Sequence, residues 1–86
     1  MNVTSDGEVL TRLRDMMCDA LLLAPEEFRL DLRRDEVPTW DSLGVLALGV
    51  AIEETFGVHP NAEEAVALDG VPAVIEFLRA RGISVA

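Results

Sequence analysis

The chain has 86 residues, half of them apolar, and carries seven basic against sixteen acidic side chains for a formal charge of −9. That length suffices for one modest core and excludes a deep cleft between domains. A field of that sign disfavours nucleic acid and anionic membranes, neither of which is expected as a partner, and steers basic protein surfaces inward.

Cys18 is the only cysteine, so no internal disulfide forms and nothing demands an oxidising compartment. Residues 1–8 hold neither the basic cluster nor the apolar segment of a signal peptide, and no apolar run reaches membrane-spanning length. A cytoplasmic monomer is expected, with one domain over 1–86 and an ordered core over about 6–82.

In chain order, Ser5 or Asp6 is placed to cap a first helix whose apolar face comprises Leu10, Leu13, Met17, Ala20, Leu21 and Ala24, ending at Pro25. From Glu26 to Thr39, Phe28, Leu30 and Leu32 alternate with charges, but a lone strand has nothing to pair with, so a long loop pinned by those side chains is expected. Asp41 or Ser42 caps a second helix reaching Phe56, and Gly57 supplies the left-handed residue that stops it. Asn61 caps a short turn through Glu63-Glu64-Ala65-Val66. Asp69-Gly70 opens a last helix with Pro72 in its first turn, an apolar face of Val71, Val74, Ile75 and Leu78, and Arg79 and Arg81 before Gly82. The fold class is all-α: a small bundle of three main helices and one short one, with a long loop between the first two.

The second helix carries two apolar stripes. Val45, Leu48, Ile52 and Phe56 form one; Leu43, Leu46, Ala47 and Val50 form another well round the cylinder. So small a bundle cannot hide both, so the second is expected at the surface beside Ser42, as a docking face, unless the long loop covers it.

Ser42 has three readings. As a cap it needs no function. As a nucleophile it needs a base within reach, yet His59, the only histidine, lies beyond the far end of the same helix, on the order of 20 Å away at about 1.5 Å per residue. No Gly-x-Ser-x-Gly elbow is present and every basic residue is an arginine, so no catalytic residues are assigned and no enzyme is expected. As an attachment point the serine needs only exposure, a helix N-terminus to receive a phosphate, and a recognisable surface.

Here Asp41-Ser42-Leu43, followed at the end of the same helix by Glu53-Glu54-Thr55-Phe56-Gly57-Val58, resembles the acyl carrier protein pattern, and the resemblance spans roughly residues 8–80. It implies that Ser42 receives 4′-phosphopantetheine from coenzyme A through a phosphopantetheinyl transferase, with Asp41 and Leu43 at the flanking recognition positions. The arm's thiol would hold acyl groups as thioesters, loaded and unloaded by an acyl- or aminoacyl-activating ligase, an acyltransferase or a ketosynthase. Trp40 and Gly44 make the motif resemble that of freestanding carriers of polyketide and related natural-product pathways. Peptidyl carriers usually put glycines and a histidine before the serine, where this chain has Thr39, Trp40 and Asp41; aminoacyl loads remain open. Fatty-acid carriers have acidic residues early in the second helix, where this chain has Gly44 and Ala47. Docking is therefore expected to lean on Leu43, Leu46, Ala47 and Val50, with Glu53 and Glu54 left at the helix end. The rival is a small helical interaction module in which Ser42 is only a cap.

The remaining features are read without chemistry. Asp31, Asp35, Glu36, Glu63 and Glu64 lack the ligand spacing of a calcium loop, and Cys18 with one histidine makes no zinc site. Arg33-Arg34 balances nearby carboxylates, Trp40 anchors the loop, and Gly49 implies close approach of another element or tolerated softness.

Overall fold

The computed structural model describes residues 6–85. Helix α1 spans Asp6–Leu21, α2 Ser42–Phe56, α3 Ala62–Ala67 and α4 Val71–Ala80, with short 3-10 turns at Pro25–Glu27 and Arg34–Glu36 in the loop before α2. The molecule is thus an all-α bundle, and among the described residues the only extended pairing is a single antiparallel bridge between Arg33 and Gly70. In it the Arg34 N–H donates to the Asp69 carbonyl at 2.9 Å and the Val71 N–H to the Leu32 carbonyl at 2.8 Å, tying the loop to the start of α4.

One apolar cluster holds the elements together. Leu13, Met17 and Leu21 of α1, Leu48 and Ile52 of α2, and Val71, Val74 and Leu78 of α4 are fully buried. Val85 seals the cluster from beyond α4. Phe77, outside the face expected for α4, is also buried, whereas Ile75 is half-buried.

Helix α1 ends earlier than Pro25. Leu22 takes the left-handed conformation (φ 58°), and the Leu23 N–H returns to the Cys18 carbonyl at 2.9 Å. That 6→1 bond closes the helix although a side chain in this conformation costs about 1–2 kcal/mol. Of the two caps expected for α1, Ser5 lies outside the described residues and Asp6 is already helical.

The loop is anchored by Leu32, Val37 and Trp40, all buried, while Phe28 is half-buried and Leu30 is 49% exposed, so Leu30 does not serve as a pin. The expected loop charge balance is also different. Arg29 makes the pairs with Asp31 and Glu36, at 3.0 and 2.9 Å, and Arg33 faces Asp35 at 3.7 Å. Arg34 pairs with none of them; its Nε donates to the Trp40 carbonyl at 2.7 Å. Spacing along a loop does not determine which guanidinium meets which carboxylate; the 3-10 turn at Arg34–Glu36 does.

Two glycines of α2 differ in what they tolerate. A Cβ on Gly44 would overlap the Thr39 carbonyl oxygen, because the loop backbone crosses directly over the helix there. A Cβ on Gly49 would reach only ordinary contact, 3.7 Å from Pro60. Gly44→Ala is therefore expected to lower stability by about 1–3 kcal/mol through overpacking. Gly49→Ala is expected to raise it by about 0.5–1 kcal/mol through helix propensity; thermal melts of the pair check both signs.

Two carboxylates act as local clamps. The Glu36 carboxylate accepts from the Arg33 N–H and from Arg29, and both lower its pKa from the ordinary 4.5. That of Glu64 is lowered by the Asn61 N–H and then by Arg81, which also covers the Phe77 ring at 4.7 Å. Since both groups have folded-state values below their unfolded ones, their contribution is complete above the ordinary value and is lost as pH falls through the folded value. The melting-temperature advantage of wild type over Glu36→Gln/Glu64→Gln is expected to be constant above pH 6 and to shrink below pH 4.5.

Candidate functional site

The start of α2 is built by its neighbours. Thr39 donates its hydroxyl to the Leu21 carbonyl, joining the end of the loop to the end of α1. Trp40 is 2% exposed, as befits the anchor expected of it, and its indole Nε1–H has no acceptor among the described residues. With Trp40 buried and Thr39 crossing Gly44, the backbone emerges at Asp41 with one orientation available.

Asp41 is the helix cap. Its carboxylate accepts from the Gly44 N–H at 3.0 Å and its carbonyl from the Val45 N–H at 2.9 Å. Ser42 is then the first helical residue; it is exposed, and its hydroxyl makes no hydrogen bond among the described residues. Of the two candidates for the cap, aspartate took the role and left the serine hydroxyl uncommitted. The N–H groups of Ser42 and Leu43, in the first turn, have no partners within the helix and point outward.

An open apolar groove of about 420 Å³ runs from Ser42 between α2 and α3, bordered by Arg34, Ser42, Val45 and Leu46 on one side and Ala62, Ala65 and Val66 on the other. Arg34 is the residue that sequence reasoning missed here. Nothing in the run Arg33-Arg34 marks one arginine as facing a helix end, because the signal lies in the backbone turn between it and Trp40.

The remaining candidate residues sort by side. Val45, Leu48 and Ile52 face the core, whereas Leu43 (75%), Leu46 (67%) and Val50 (53%) are exposed, as is Ala47. The loop does not cover this second stripe. Beside it a shallow depression of about 400 Å³ opens between α1 and α2 at Ala20, Ala47, Val50 and Glu54. Glu53 and Glu54 are exposed in the last turn, some 16 Å from Ser42 along the axis, so they form a separate charged end. There His59, itself exposed, lies with Nδ1 3.1 Å from Glu53 Oε1. Arg12 of α1 closes the same end, donating to the Thr55 carbonyl at 2.6 Å and covering the Phe56 ring at 5.4 Å.

Cys18 is half-buried with its thiol 3.8 Å from the Ala24 carbonyl, and burial pushes its pKa up. Among the described residues no group of acidic, histidine or cysteine side chains is arranged to hold a metal ion, and no helix is long and apolar enough to cross a membrane.

No family model matches the sequence. It is similar, however, to the acyl carrier protein of Campylobacter hominis, 32% identical over 71 residues covering 83% of this chain and 90% of that protein. It is likewise 32% identical over 74 residues to the acyl carrier protein of Thermosynechococcus vestitus, covering 86% of this chain and 91% of that one. Taken with the helical bundle, this places the chain in the acyl carrier protein family. Its function is accordingly that of a carrier, and members of the family work with synthase and transferase partners. The family implies a 4′-phosphopantetheine prosthetic group, and the start of α2 fits one: an exposed hydroxyl without an internal partner, outward N–H groups and a groove alongside.

The division of labour between Asp41 and Ser42 is measurable. Asp41→Ala is expected to cost about 1 kcal/mol of stability by removing the cap. Ser42→Ala should stay within about 0.5 kcal/mol of wild type in denaturant unfolding, since its hydroxyl supports nothing.

Proposed function

We propose that this chain holds its cargo on a 4′-phosphopantetheine arm esterified to Ser42 Oγ, in polyketide or a related natural-product biosynthesis. The observation that carries the attachment is the exposed, uncommitted Ser42 hydroxyl at the start of α2, freed because Asp41 does the capping. When bound, such a group supplies a flexible tether ending in a thiol that carries the acyl group as a thioester. The protein's own contribution is placement. Thr39 and Trp40 fix where α2 begins, and Asp41 and Leu43 flank the serine on the surface that a phosphopantetheinyl transferase would meet.

The pathway assignment rests on Trp40-Asp41-Ser42-Leu43-Gly44 and on the surface of α2. Its first turn holds no acidic residue, and Leu43, Leu46, Ala47 and Val50 stand exposed there, so partner enzymes would meet apolar area first and the carboxylates of Glu53 and Glu54 only at the far end. That suits dedicated partners better than an enzyme groove built on basic residues alone.

Co-expression with a broad-specificity phosphopantetheinyl transferase followed by mass spectrometry tests the attachment. The expected result is the increment of one phosphopantetheine on the peptide containing Ser42, absent in Ser42→Ala. An unmodified protein, or an increment that survives the substitution, would overturn the attachment at Ser42. The mass of the naturally loaded arm then identifies the cargo class.

A further inference from the structure

We infer that Arg34 binds the phosphodiester by which a phosphopantetheine arm is joined to Ser42, an assignment that rests on the attachment proposed above. All seven basic residues are arginines, and their partners sort them. Arg14, Arg29, Arg33, Arg79 and Arg81 each face a carboxylate. Arg12 sits on the C-terminal carbonyls of α2, where the helix dipole favours a cation.

Arg34 has neither kind of support. It lies at the opposite, positive end of α2, where the dipole opposes a cation, and no carboxylate forms an ion pair with it among the described residues. The nearby carboxylates do not pair with it: Asp41 accepts from Gly44, Asp35 faces Arg33, and Asp69, which borders a second depression together with Arg34 and Asp35, forms no ion pair with Arg34. With sixteen acidic residues in the chain, internal anions are not scarce. A guanidinium left without an ion pair beside Ser42, although Asp35 and Asp69 are near, therefore points to an anion added after folding.

The guanidinium is also ready to receive one. Its Nε is committed to the Trp40 carbonyl, two residues before Ser42, which fixes the plane of the group. Both Nη groups remain as donors without a partner among the described residues, on a half-buried side chain lining the same groove as Ser42. A phosphodiester is a permanent anion with two free oxygens, and an arginine fork partly withdrawn from water is the side chain best matched to it. The outcome is an arm pinned at its phosphate and free at its thiol.

Arginine side-chain Nε–Hε NMR spectra of the apo and phosphopantetheinylated protein test this, with mass spectrometry of the same samples recording the state of Ser42. On loading, the Arg34 signal is expected to shift more than those of the other six arginines. The ³¹P resonance of the loaded protein should move in Arg34→Gln, hold in Arg33→Gln and be partly restored in Arg34→Lys. A loaded Ser42 with an unmoved Arg34 signal, or a ³¹P resonance identical in Arg34→Gln and wild type, overturns the assignment and leaves the attachment standing. A protein that does not load overturns both, and the wild-type Arg34 signal decides the matter should Arg34→Gln fail to fold.

Discussion

Where the loop backbone crosses α2 at Gly44, the Thr39 carbonyl lies in the space a side chain would occupy, and the same Thr39 donates its hydroxyl to the last residue of α1. The end of α1, the end of the loop and the start of α2 thus meet through main-chain atoms and one hydroxyl. Their meeting fixes the direction in which α2 leaves the loop, buries Trp40 beneath the junction, and brings Asp41 out at the cap position. A first turn held by backbone has little freedom to rotate. The exposure of Ser42 is consequently a property of this crossing more than of the serine itself.

Much of this was legible in the sequence because helix ends are written in residues with few alternatives. Asp41, Gly57, Asn61 and Gly82 each mark an observed boundary: Gly57 and Gly82 take positive φ, and Asn61 and Glu64 cap each other reciprocally. The exposed second stripe of α2 followed from counting, since a helix apolar on two sides cannot bury both in one small core. The end of α1 was not legible, because Leu22 in a left-handed conformation defies its own propensity and is held there by the closing bond from Leu23. Phe77 lies off the stripe of Val71, Val74, Ile75 and Leu78 yet joins the core cluster, with the C-cap Arg81 over its ring.

Within the candidate site, the serine and its flanking residues were legible and the arginine was not. Ser42 could be singled out because helix N-termini have a chemistry that residue types announce. The placement of Arg34 depends on a 3-10 turn that brings its side chain to the Trp40 carbonyl, and no local pattern distinguishes it from Arg29 or Arg33. Whether Asp41 or Ser42 would cap α2 was equally open, since both residue types suit the position. Geometry settled it in favour of the carboxylate, a stronger acceptor toward backbone N–H than a hydroxyl.

The exposed leucines of α2 also bear on how copies of the molecule behave toward one another. Leu43, Leu46 and Val50 form the kind of surface that draws proteins together, and at neutral pH it is the charge of −9 spread over the rest of the chain that keeps two such surfaces apart. Near the isoelectric point of about 4.3 that repulsion vanishes while the apolar area remains. Colloidal stability therefore depends on the balance between this patch and the net charge. Acidity that merely loosened the clamps at Glu36 and Glu64 would at the same time turn this apolar face toward its own kind.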